Sequence, residues 1–165
     1  MPVGRKRDAG GATPATVAAS RAGVAFTLHS YEHDPAAASW GEEAAQALGA
    51  DPRRVLKTLV VSVDGEPAVA VVPVSSSLAL KAVAAAAGGK RAELADPAAA
   101  ERTTGYVLGG ISPLGQRKRL RTVVDASAAG HETVFVSAGR RGLEIELSPA
   151  DLIALTSAVT APIAR

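Results

Sequence analysis

The chemistry of this chain concentrates in Thr104-Gly105-Tyr106-Val107-Leu108-Gly109-Gly110-Ile111-Ser112-Pro113-Leu114-Gly115, followed by the basic run Gln116-Arg117-Lys118-Arg119-Leu120-Arg121. Paired glycines let a backbone take positive φ and approach another group closely. Successive N–H groups in such a turn form a small anion-binding concavity. Positive charge alongside suits a phosphate-bearing ligand. The bland alternative is a tight turn with a solvated basic face, since a glycine-rich turn alone is a weak signal. Ser137-Ala138-Gly139-Arg140-Arg141-Gly142 is a second small-residue, basic turn. It either forms the other wall of a cleft with Gly109-Gly110 or is a hairpin loop with a solvated tip.

Lys57 stands at the start of an apolar run. It is either a surface lysine whose stem lies along apolar neighbours or a pocket cation for a phosphate or carbonyl. Tyr31 and Trp40 flank a proline-containing loop, and aromatic rings there can stack on a base or sugar. Other chemistries lack their residues. The chain has no cysteine and three histidines, His29, His33 and His131, none in a metal-ligand spacing. No nucleophile elbow occurs, because Pro113 removes the N–H that would follow Ser112. Phosphate-binding loop motifs are also missing: Gly105 to Gly110 does not give G-x-G-x-x-G. The expectation is a site without metal or cofactor.

These residues need a scaffold, and the punctuation of the chain predicts one. Thr13-Pro14 opens a helix that Gly23 ends. Val24 to Ser30 alternates as a strand, with Val24, Phe26 and Leu28 on one face. Ser39-Trp40-Gly41-Glu42 has the spacing of a capping box and starts a helix running to Gly49. Asp51-Pro52 predicts another short helix ending near Leu56. Lys57 to Val63 and Ala68 to Val74 read as two strands joined at Asp64-Gly65, the second apolar throughout and so buried on both faces. Helices are expected from Leu78 to Ala87, after Asp96-Pro97, and after Ser148-Pro149. Three more strands cover Arg121–Asp125, Thr133–Ser137 and Leu143–Leu147. Strands and helices in mixed order predict an α+β domain with a mixed, partly barrel-like β-sheet surrounded by helices.

The totals agree. A chain of 165 residues that is 47% hydrophobic fits one domain with a real core. Residues 1–11, with the triplet Arg5-Lys6-Arg7, read as a disordered basic arm and residues 12–165 as the domain. Eighteen Lys and Arg against sixteen Asp and Glu give a net charge of +2, so clustering matters more than the total. No run reaches the length of a membrane span and no signal-peptide core is evident, which gives a cytoplasmic expectation without membrane partners.

Taken in order, Tyr31-Glu32-His33-Asp34-Pro35, Val55-Leu56-Lys57-Thr58-Leu59, Asp96-Pro97, the Thr104–Gly115 stretch and Arg141-Gly142-Leu143-Glu144-Ile145-Glu146-Leu147 closely resemble the YbaK/EbsC family of Cys-tRNA(Pro) deacylases. These are free-standing relatives of the editing domain of prolyl-tRNA synthetases. The resemblance covers roughly residues 12 to 160. It implies a trans-editing hydrolase that removes cysteine wrongly attached to tRNA(Pro), with the tRNA acceptor end and prolyl-tRNA synthetase as partners and no metal. It assigns Lys57 to the 3′-terminal nucleotide or its phosphate, and Gly109 and Gly110 to backbone groups near the scissile ester. Tyr31, Trp40, Thr58, Ser137 and Glu144 become substrate-binding residues, while the basic run itself offers Arg117, Lys118 and Arg119 as tRNA-binding ones. Two positions depart from the family pattern: Trp40 stands where phenylalanine is usual, and Glu144 where aspartate is usual. Two rival expectations remain, a non-catalytic tRNA- or synthetase-binding module and a deacylase for another mischarged tRNA such as Ala-tRNA(Pro).

Overall fold

A computed structural model of the protein describes residues 12–36 and 39–165. The expected arm at 1–11 lies outside the described residues. The elements run α1 (Pro14–Ala22), β1 (Phe26–Ser30), α2 (Trp40–Leu48), β2 (Leu56–Val63), β3 (Glu66–Pro73), α3 (Leu80–Ala86), β4 (Ala92–Leu94), α4 (Pro97–Thr104), β5 (Arg121–Asp125), a 3-10 turn over 126–130, β6 (Val134–Arg140), β7 (Leu143–Leu147), α5 (Pro149–Thr156) and β8 (Val159–Ala161). The helix starts follow the capping chemistry. Thr13, Ser39, Asp96 and Ser148 each accept a hydrogen bond from a first-turn N–H through the side chain. Glycines 23, 49 and 105 end three of the helices in the left-handed conformation.

The strands form two sheets. One is antiparallel, in the order β1-β7-β6; the other is mixed, in the order β4-β2-β3-β5-β8, with β5 parallel to both of its neighbours. The α+β expectation holds, but the sheets do not close into one barrel. They meet at a corner, where Val55 bridges Phe135 and the Phe135 N–H donates to the Arg54 carbonyl at 2.9 Å.

Side-chain alternation sorts the core. On β3, Val69 and Val71 face the cluster shared with Leu143, Ile145 and Leu147 of β7, so the two sheets pack face to face. Ala68, Ala70 and Val72 face the opposite way, onto α3 and Ile163. Burial on both faces is why β3 reads as an unbroken apolar run. A third, small cluster joins Ala44 and Ala45 of α2 to Val55, Val74 and Phe135 at the corner between the sheets.

Three expectations are corrected. Residues 51–54 form a turn, not a helix: Arg54 N–H closes onto the Asp51 carbonyl at 2.8 Å, the Asp51 carboxylate takes the Arg53 N–H and guanidinium, and β2 begins two residues later. The first strand starts at Phe26 rather than Val24. Two further strands exist, β4 and β8, each three residues long on a sheet edge. Three residues are too few to show a period of two.

Candidate active site

The glycine-rich stretch is a closed loop. Its ends are pinned by Arg117 N–H to the Thr104 carbonyl at 2.9 Å, and its centre by the buried Tyr106, whose hydroxyl donates to the Leu114 carbonyl at 2.6 Å. Leu108 N–H donates to the Glu101 carboxylate at 2.8 Å. The loop therefore presents Leu108 and Gly109 in a fixed position beside the corner between the sheets.

There a cavity of about 480 Å³ opens, and the scaffold gathers one wall from each element around it. The loop before α2 supplies Tyr31, and the first residue of α2 is Trp40. The start of β2 supplies Lys57 and Thr58, the loop supplies Gly109, β6 supplies Ser137 and β7 supplies Glu144. Apolar Val55, Leu56, Leu59 and Ile111 complete the walls. Lys57 and Thr58 reach it from opposite faces of β2, because the cavity wraps the strand's first residues.

Gly109 adopts φ +85°, and a Cβ built there would lie 2.6 Å from Arg141 Nε and 2.9 Å from Trp40 Cδ2. Glycine is needed at this point both for the dihedral and for the space. Gly110 sits one residue further along the loop. It does not line the cavity, and its N–H is spent on the Val107 carbonyl at 3.0 Å. Its lack of a side chain lets the backbone of Arg140 come within 2.6 Å of where a Cβ would sit. The second basic turn is thus the opposing wall, and a bulge in β6–β7 between Ser137 and Arg140 aims it there. Arg117, Lys118 and Arg119 are exposed and do not line the cavity. Arg119 reaches the Ser157 hydroxyl at 3.0 Å at the end of α5, and Arg117 packs over Gly105.

Two glutamates on the same face of β7 have opposite electrostatics. Glu146 is held by His29 Nε2 at 2.9 Å, Arg54 Nη2 at 3.2 Å and the Thr133 hydroxyl. Burial pushes its carboxyl up, but the Thr133 and His29 hydrogen bonds and the charges of His29 and Arg54 outweigh it and hold it below the ordinary range. Glu144 is buried, its Oε1 has no hydrogen-bond partner, and burial alone pushes its carboxyl up to about 8. Burial thus favours its protonated form at neutral pH. The Thr58 hydroxyl, on the same cavity, is the other buried side-chain polar atom without a partner among the described residues. The Tyr31 phenol is pushed up to about 12, first by burial and then by the charges of Glu144 and Glu43. Buried polar atoms are normally paired, so these two are open to hydrogen-bond a polar group that enters the cavity. Among the described residues no group of three or more His, Asp or Glu could hold a metal ion, and no helix is long and apolar enough to cross a membrane.

Residues 34–155 match the family described as Aminoacyl-tRNA editing domain. The chain belongs to that family. As an aminoacyl-tRNA editing protein it deacylates mischarged tRNA. EbsC of Enterococcus faecalis, a proposed Cys-tRNA(Pro)/Cys-tRNA(Cys) deacylase, is 41% identical over 117 residues, 70% of this chain and 71% of that protein. YwhH of Bacillus subtilis, uncharacterised, is 27% identical over 111 residues, 67% and 71% of the two chains. Among solved structures, hypothetical protein APE2540 superposes with TM-score 0.82 at 25% identity, covering 93% of this chain and 100% of that one. A proposed trans-editing enzyme for prolyl tRNA synthetase superposes with TM-score 0.78 at 24% identity, covering 92% and 95%, and shares the fold.

The editing protein's cavity also contains residues that lie inside the quoted motifs but were given no role there. Leu108, Ile111, Val55 and Leu56 form its apolar walls, and apolar residues in a loop or strand carry no functional signal on their own. Arg141 stands in the second basic turn and opens one of the family motifs, but neither gave it a role.

Proposed function

We propose that the protein hydrolyses Cys-tRNA(Pro), acting in trans beside prolyl-tRNA synthetase. The observation that carries this reading is the convergence of Lys57, Gly109, Tyr31, Ser137 and Glu144 on one cavity whose wall keeps two unpaired polar atoms. The similarity to EbsC supports the choice of amino acid and tRNA.

An aminoacyl ester is already activated, so positioning and stabilisation of the developing oxyanion are enough. Lys57 holds the 3′-terminal nucleotide, and the backbone at Gly109 lies against the ester. Glu144 and Thr58 hydrogen-bond the polar groups of the aminoacyl moiety. No side chain acts as nucleophile. The cysteine thiol attacks its own ester carbonyl, the bond from that carbon to the ribose oxygen breaks, and the thiol proton passes to the ribose oxygen. Water then opens the thiolactone to free cysteine. Arg117, Lys118 and Arg119, exposed and outside the cavity, meet the acceptor-stem phosphates.

Deacylation of Cys-, Ser- and Ala-tRNA(Pro) by the purified protein tests this. Serine differs from cysteine by one atom, and pocket size separates substrates differing by a methylene by only about 10–200-fold. A thiol-driven reaction cleaves the cysteine ester by more than that margin over the serine ester. Equal rates for all three, or rates matching the buffer control, overturn the reading. A faster alanine ester would instead identify an Ala-tRNA(Pro) deacylase.

A further inference from the structure

The cavity mouth holds a cation that the ester chemistry above does not use. Arg141 lies in the turn between β6 and β7 and is exposed. Its Nε donates to the Leu108 carbonyl at 2.8 Å, and its guanidinium carbon sits 5.0 Å from the Trp40 ring centroid. Leu108 and Trp40 both line the cavity. One side chain thus ties the hairpin turn, the glycine loop and the start of α2 together at the rim. Gly109 and Gly110 make the meeting possible, because a Cβ at either would collide with Arg141, Trp40 or the Arg140 backbone.

Holding the three segments together needs only Nε and the stacked face of the guanidinium. Among the described residues the two terminal nitrogens of Arg141 take part in no hydrogen bond, and no carboxylate pairs with it. A free arginine loses rotamer entropy when it binds. This one is already fixed by the stack and by Leu108, so its outer N–H fork is preorganised, with the planar two-pronged geometry that fits a phosphate. The ligand's own connectivity puts a phosphate nearby. With the ester against Gly109 and the terminal nucleotide held by Lys57, the next group along the strand toward the rim is the phosphodiester.

We propose that Arg141 clamps the phosphodiester immediately 5′ of the substrate's terminal nucleoside, with Trp40 as the platform that aims it. The proposal rests on the deacylase reading and adds a residue and a ligand group to it.

The experiment compares two substrates with the same acyl group: a cysteinylated minihelix ending in CCA, and 3′-O-cysteinyl adenosine, which has no phosphate. Arg141→Ala raises KM for the minihelix about 10–100-fold, the effect of one charge-assisted contact, with kcat little changed. Its loss of kcat/KM on cysteinyl adenosine is at least about tenfold smaller, because the phosphate contact has no counterpart there and only the lost tie across the rim remains. Arg141→Lys, which keeps the charge and loses the fork, falls between, and it carries the comparison if the alanine variant melts early. Equal losses on both substrates would show a prop for the cavity wall rather than a phosphate clamp, and no loss on either would show no contact. Should the parent protein cleave neither substrate, the deacylase reading has failed separately. The clamp is then read from anisotropy of the uncharged minihelix across a salt series. Arg141→Ala lowers the slope of log K against log salt by about 0.7, and an unchanged slope overturns the proposal.

Discussion

Lys57 and Glu144 face one cavity with opposite needs. Lys57 has no hydrogen-bond or ion-pair partner among the described residues, so its removal breaks no structural bond. Lys57→Ala is expected to lower kcat/KM for Cys-tRNA(Pro) about 10²–10³-fold, the size of one lost electrostatic contact in an enclosed site. Its melting temperature stays close to the parent's, as for other substitutions away from buried networks. Glu144 has the reverse signature. Its folded carboxyl titrates at about 8 because it is buried, whereas in the unfolded chain it titrates near 4.5. Between those values the unfolded state gives up a proton that the folded state keeps, so this group costs stability progressively as pH rises from about 4.5 to 8. Below that window the cost is absent. Glu144→Gln removes the ionisation. Urea denaturation should show the variant matching the parent near pH 5 and exceeding it by a few kcal/mol, of the order of 1.4 kcal/mol per pKa unit, near pH 8. A parallel pH dependence in both proteins would mean that Glu144 is already ionised in the native state.

At the scale of elements, the glycine loop and the β6–β7 hairpin work as a matched pair. The loop is held from below by Tyr106 and from the side by Glu101, and the hairpin by Thr13, whose hydroxyl donates to the Ala138 carbonyl at 2.5 Å. The two can touch only where neither has a side chain. Gly109→Ala adds a Cβ at φ +85°, against Arg141 and Trp40. Strain at a left-handed non-glycine position is of the order of 1–3 kcal/mol. The expected outcome is a modest fall in melting temperature with a much larger loss of deacylation, because the side chains that must move are those on the rim. Equal activity in the variant would show that the rim can rearrange at no cost to function.

The whole molecule is closed by Asp125 at the end of β5. Its Oδ1 accepts the N–H groups of Ile163 at 2.8 Å and Ala164 at 2.9 Å, and its Oδ2 takes the N–H and hydroxyl of Ser127. These bonds set β8 beside β5 and carry Ile163 into the core cluster beneath α3. Burial opposes the charge, but the bonds from Ser127, Ile163 and Ala164 prevail and the carboxyl titrates below its ordinary value. Its contribution is present above the unfolded carboxylate range and is lost as pH falls through the folded value. Asp125→Ala leaves those N–H groups unpaired. It should destabilise the fold by about 1–3 kcal/mol or more per buried donor, read by chemical denaturation at pH 7. A variant that unfolds at the parent's denaturant concentration would show that β8 is held by its strand pairing alone.

Much of this was legible in the order of residues. Cap-and-proline pairs mark helix starts through short-range hydrogen bonds, and alternation marks β7 because one of its faces meets the core. Both signals act within a few residues, so the sequence contains them whole. The family motifs likewise named Tyr31, Lys57 and Glu144. The chain alone did not say that Gly110 spends its N–H inside a turn, that Glu144 is unpaired while Glu146 is fully bonded, that two three-residue strands complete a sheet, or that Arg141 reaches Trp40. Each of these depends on groups far apart in the chain that meet only when two sheets pack at a corner. Partner, burial and proton affinity are properties of that meeting, and the folded chain alone decides them.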